Sequence, residues 1–119
     1  QHVGDLEEAL AWNERAMSQA ETVPQRLRLK SVAARLYLEH GNDEEALKTY
    51  KEALHFDSHN AWLCHQISQL HYERGELEES LRFNEQALKI QSDFEPAQRL
   101  RQTLADESRG SGLLGRLFG

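Results

Sequence analysis

The chain has 119 residues, a net charge of −6 and an apolar content of 39%. It therefore suits one helical domain with a modest core, and it lacks the basic surplus that general binding to phosphate backbones needs. Its one cysteine, Cys64, cannot form an internal disulfide or a zinc cage, and no apolar run approaches the roughly 18 residues of a membrane-spanning helix.

Taken in chain order, the first element is a helix over residues 5–20. It lies in the phrase GDLEEALAWNERAM, from Gly4 to Met17. The phrase returns as GNDEEALKTYKEAL from Gly41 and as GELEESLRFNEQAL from Gly75. Each copy has an acidic pair (Glu7/Glu8, Glu44/Glu45, Glu78/Glu79), placed where the first turn of a helix favours negative charge. Five residues after each glycine stands a small residue (Ala9, Ala46, Ser80), followed at once by leucine (Leu10, Leu47, Leu81). Twelve after it stands alanine (Ala16, Ala53, Ala87). Positions seven apart share a helix face, so these small residues admit a neighbouring helix closely.

Between the copies lie further helices. Residues 25–40 carry Leu29, Val32, Ala33, Leu36 and Tyr37 at helical spacing, after Pro24, where a helix can begin. Residues 61–74 carry Leu63, Ile67 and Leu70. Seven before each turn glycine there is again a small residue, Ala34 or Ser68. Gly41 and Gly75 are placed as helix C-caps, and Asp43 as the N-cap of the helix that follows Gly41. A closing helix over 95–108 has Ala97, Leu100 and Leu104 on its seam beside Phe94.

A 34-residue helix–glycine turn–helix unit with small residues at these three positions resembles the tetratricopeptide repeat. The resemblance divides the chain into a half-repeat (1–26), two repeats (27–60 and 61–94), the closing helix (95–108) and a linker with an apolar tail (109–119). It implies an all-α, right-handed solenoid of stacked hairpins with a C-terminal closing helix. Several positions depart from the family pattern. Lys30 and Cys64 stand where a tryptophan is frequent, Asn13 and Asn84 where an aromatic is preferred, and Ser58 and Ser92 in place of a loop proline. Three residues are inserted around Thr22–Gln25.

In this family the first helix of each repeat lines a concave groove that binds a peptide or helix. By position the resemblance assigns Arg28, Ser31, Arg35, Leu38 and Glu39 to that surface, then Trp62, His65, Gln69, Tyr72 and Glu73. Arg99 and Thr103 continue it on the closing helix. Arginines for carboxylates, an amide for backbone groups and aromatic anchors suit an extended peptide of some acidic character. The Lys/Asn/Arg clamp with which some relatives hold a C-terminal carboxylate is not found. The expected function is a non-catalytic protein-interaction module with a protein or peptide ligand. The rival is a structural segment that spaces or assembles a larger protein.

Other features point nowhere chemically. His55 and His59 flank the loop at Asp57-Ser58, and His65 and His71 fall on different helix faces, so no metal ligand set is expected. Neither a glycine-rich phosphate loop nor a nucleophile–histidine–acid arrangement is present, so no cofactor and no catalytic residue are expected.

Both ends leave apolar groups to cover. Leu6, Leu10, Trp12, Ala16 and Met17 on the half-repeat lack a preceding helix, which suggests upstream repeats or self-association across that edge. A start at Gln1 and not Met is likewise expected of a chain cut from a longer one. At the other end Gly110-Ser111-Gly112 reads as a linker, and Leu113, Leu114, Leu117 and Phe118 would share one side of a short helix. Three fates stand open for that tail: a disordered end, docking on this chain or a neighbouring copy, or contact with a membrane or another protein. One Arg and four apolar residues are too few for stable membrane anchoring. No feature names a compartment, and a cytoplasmic one is favoured.

Overall fold

The computed structural model describes residues 3–111, with side chains from Gly4 to Arg109. The tail residues Leu113, Leu114, Leu117 and Phe118 lie outside them. The described residues form six α-helices and no strand. They divide into two compact units, 3–58 and 59–111.

The first unit holds α1 (Val3–Gln19), α2 (Val23–Glu39) and α3 (Asp43–Phe56). The insertion around Thr22 is a capping box. Thr22 Oγ1 accepts from the Gln25 amide at 3.3 Å, and Gln25 Oε1 accepts from the Thr22 and Glu21 amides at 3.1 and 2.8 Å. Pro24 sits in the first turn, where a missing N–H costs nothing. The far end of α2 is closed by Gly41 at φ 77°, a backbone state that glycine adopts cheaply. The Asn42 amide reaches back to the Tyr37 carbonyl at 2.8 Å and the Gly41 amide to Leu38 at 3.1 Å, the Schellman pattern. The C-cap itself is His40, one residue before the glycine. The expected N-cap of α3 is displaced in the same way. Asn42 occupies the cap without a side-chain hydrogen bond, and Asp43 is the first helical residue, where it adds to the acidic first turn.

The core of this unit is built from small residues. Ala34, Ala46 and Ala53 are wholly buried, beside Ala33, Leu47 and Tyr50, and Leu6 comes in from α1. Lys30 on α2 pairs with Glu52 on α3 at 3.1 Å. Asn13 Nδ2 on α1 donates to the Leu29 carbonyl on α2 at 2.8 Å.

The second unit holds α4 (Ala61–Glu73), α5 (Leu77–Ile90) and α6 (Glu95–Ser111). Asn60 caps α4 by accepting from the Leu63 amide at 3.0 Å. Gly75 at φ 78° repeats the turn of Gly41, with Glu76 bonded to the His71 carbonyl at 2.8 Å and Gly75 to Tyr72 at 3.0 Å. Here the turn has a second clasp. The Nδ1–H of His71 donates to the Glu76 carboxylate at 2.9 Å, Arg74 Nε donates to the same oxygen at 3.0 Å, and the pairing with His71 holds the Glu76 carboxyl below its ordinary value.

Where the first unit buries Ala34 and Ala46, the second buries Ser68 and Ser80 at the equivalent positions. Ser68 Oγ donates to the Ser80 carbonyl at 2.6 Å, and Ser80 Oγ to the Ser68 carbonyl at 2.8 Å. The His71 ring stacks on Phe83 at 5.7 Å. Leu63, Ile67 and Cys64 are buried, and burial pushes the Cys64 thiol pKa up, which suits packing and not nucleophilic attack. Leu81, Leu100 and Leu104 form the seam between α5 and α6, with Tyr72 and Leu77 packed against it. Each such leucine contributes roughly 1.5–3 kcal/mol. Helix α6 runs past the expected end at 108 to Ser111, so Gly110 and Ser111 continue the helix into the stretch read as linker.

Candidate functional site

In the second unit, α4 and α6 present one face each to a shallow recess of about 280 Å³. Its walls are His65, Gln69 and Tyr72 from α4, at i, i+4 and i+7, and Pro96, Arg99, Leu100 and Thr103 from α6. Thus His65, Gln69, Tyr72, Arg99 and Thr103, five residues expected at the groove, open onto one space. Trp62 lies one turn before His65 on α4, 39% exposed, and is not part of the wall. Sequence reasoning missed Pro96 and Leu100. The signal was present, since Leu100 was read as seam and a seam residue at the rim can face both ways.

The chemistry of the recess is mixed. The His65 ring meets Phe94 edge-on at 5.7 Å, and its buried Nδ1 has no hydrogen-bond partner. Burial, then the nearby Arg99 charge, lowers its pKa below the ordinary histidine value, so the ring is neutral at physiological pH. Arg99 is the fixed positive charge. Its contact with Glu95, 3.8 Å on an exposed turn, is a weak tether that a ligand carboxylate can replace. The Gln69 amide leans on Glu73 at 3.2 Å. At the lower end the Tyr72 hydroxyl donates to Glu107 at 2.7 Å, which ties α4 to α6 and pushes the phenol pKa up.

In the first unit, Arg28, Ser31, Arg35 and Leu38 form a stripe along α2. The two arginines are exposed, and Ser31 and Leu38 are half-buried. A recess of about 240 Å³ in this unit lies elsewhere, among Leu10, Met17, Tyr37 and Thr49, and none of the four stripe residues lines it. Its walls include Lys30 and Glu52, which pair with each other across it.

The hairpin of α4 and α5, with its turn at Gly75, is the part of the chain that a family model recognises. Residues 61–92 match the model of the tetratricopeptide repeat. This stretch is a tetratricopeptide repeat. The α2–Gly41–α3 hairpin has the same small-residue positions and the same glycine turn, in agreement with the resemblance read from the sequence. No curated protein matches the chain. Tetratricopeptide repeats are protein–protein interaction modules and are generally non-catalytic. Among the described residues no helix is long and apolar enough to cross a membrane. No group of three or more His, Cys, Asp or Glu side chains there is arranged to hold a metal ion.

Proposed function

We propose that the chain is a non-catalytic protein-interaction module whose second unit seats an extended partner peptide with acidic side chains against α4 and α6. The observation that carries this reading is the convergence of His65, Gln69, Tyr72 and Arg99, from two helices, on one recess. A space of about 280 Å³ holds one or two side chains and not a folded ligand. The recess is therefore an anchor point along a longer contact, with exposed Trp62 available one turn away as an apolar platform. Arg99 supplies charge for a carboxylate, Gln69 a donor and acceptor for a peptide backbone, and Leu100 and Pro96 an apolar floor. Arg28, Ser31, Arg35 and Leu38 offer the same chemistry on α2.

A random peptide library selected on the full chain tests this. The recovered peptides should be enriched in Asp or Glu, and the double variant Gln69→Ala/Arg99→Glu should bind them about tenfold or more weakly, as expected for losing a hydrogen bond to a charged group. Peptides without acidic enrichment, or equal binding by the variant, would contradict it.

A further inference from the structure

Two differences between the hairpins shape the recess of about 240 Å³ in the first unit. Eight residues after the turn glycine, the second unit has Phe83 where the first has Thr49. The Phe83 ring fills its position and stacks on His71, which stands four residues before the glycine. In the first unit the equivalent pair, Thr49 and Tyr37, both line the recess, and the shorter Thr49 leaves the space that a ring would occupy. The Thr49 hydroxyl is turned to its own helix, where it donates to the Glu45 carbonyl at 2.8 Å. Eleven residues before the glycine, Cys64 is wholly buried, whereas its counterpart Lys30 lines the recess and holds Glu52 at 3.1 Å. Each wall is a described helix, since α1, α2 and α3 all contribute.

We propose that this recess takes up an arginine side chain of a partner protein. Its volume suits one long side chain and not a drug-sized molecule. Leu10, Met17 and Ala33 give an apolar surface for the stem. The head meets acceptors. Glu14 of α1 and Glu45 of α3 are exposed on two of the walls, and among the described residues neither is paired with a cation. The Asn13 amide donates to the Leu29 carbonyl, which leaves its Oδ1 to accept, and the Tyr37 hydroxyl is a further acceptor. Among the described residues of the walls, Lys48 is the one unpaired cation, against those two carboxylates, and the Lys30–Glu52 pair adds no net charge. A planar fork of five donors serves separate acceptors as the point charge of a lysine does not, so the fit is to a guanidinium. The net charge of −6 draws such a cation in. The recess belongs to the first unit, and the proposal does not depend on the α4–α6 recess binding a peptide.

The probe is the blocked tripeptide acetyl-Gly-Arg-Gly-amide, with its citrulline analogue as the same shape without the charge. Titrated into the full isotope-labelled chain, the arginine peptide should shift the resonances of Asn13, Tyr37 and Thr49 saturably, with a Kd of about 1–10 mM for a single charged anchor. The citrulline peptide should bind about tenfold or more weakly. So should the arginine peptide on the double variant Glu14→Gln/Glu45→Gln, which alters exposed groups alone. Thr49→Phe, which copies the second unit, should abolish the shifts. If that chain fails to fold, the glutamine variant decides. Four results would overturn the proposal. One is no saturable shift at those three residues by about 50 mM peptide, several times the expected Kd. Another is equal binding of the citrulline peptide, or of the arginine peptide by the glutamine variant. A third is shifts spread over the acidic first turns of α3 and α5, the mark of diffuse charge attraction. The fourth is free arginine binding about tenfold or more tightly than the blocked peptide, which would make a small cation and not a protein the occupant.

Discussion

The contact between paired helices turns on two residues in each unit. In the first unit the equivalent positions hold Ala34 and Ala46, both wholly buried and without a hydroxyl to donate. In the second they are Ser68 and Ser80, each hydroxyl donating to the other's backbone. Both carbonyls sit within helices, so removing one hydroxyl loses a hydrogen bond without leaving a bare peptide group. Ser68→Ala and Ser80→Ala should each cost about 0.5–1.5 kcal/mol in urea unfolding. The double variant recreates the arrangement of the first unit and should cost measurably less than the two singles together, because the hydroxyls share one site. Strict additivity would contradict that account. Asn13 and Asn84 act at the same scale. From the sequence they were departures from an aromatic position. In the structure both amides donate to a carbonyl of a neighbouring helix, Leu29 and Ala97, at 2.8 Å. An amide at that position can reach a carbonyl, but no pattern of polarity along the chain says that it does.

At the scale of the element, helix ends were the least legible feature and the turns the most. The glycines at 41 and 75 announced helix–turn–helix units, and both adopt positive φ. The caps around them shifted by one residue, His40 and Asn42 in place of Gly41 and Asp43, because a Schellman turn puts its glycine one step beyond the cap. The continuation of α6 to Ser111 was hidden by Gly110, which weakens a helix without forbidding it. A methyl group at Gly41 or Gly75 would meet no atom within 4 Å, so the cost of substitution there is conformational and not steric. Gly75→Ala should therefore destabilise the chain by about 1–2 kcal/mol, the cost of a left-handed residue. Gly75→Asn should cost less, since asparagine tolerates that region. Thermal unfolding of the two variants separates these outcomes, and equal losses would place the cost elsewhere.

Across the whole molecule, sequence repetition and structural repetition coincide in what builds the scaffold and part in what remains open to other proteins. In α3 and α5 the recurring small residues and leucines, Ala46/Ser80, Leu47/Leu81 and Ala53/Ala87, are buried. Surface residues that differ between copies, such as Arg35 against Gln69, lie before the turn glycines. Five of the seven wall residues could be foreseen by position, because His65, Gln69 and Tyr72 follow helical spacing and Arg99 and Thr103 continue their row on α6. Pro96 and Leu100 were harder to foresee. Leu100 had to be assigned to the core before its edge could be seen at the recess. The recess beside Thr49 follows from comparing equivalent positions and is plain only once the burial of Thr49 and Phe83 is known. The central claim is that partner peptides are held at the α4–α6 recess. Its most direct test is a nuclear magnetic resonance titration of the full isotope-labelled chain with a library-selected acidic peptide. Chemical-shift changes should concentrate on His65, Gln69, Tyr72, Arg99 and Thr103. Saturating changes confined to other residues, with those five unmoved, would contradict it.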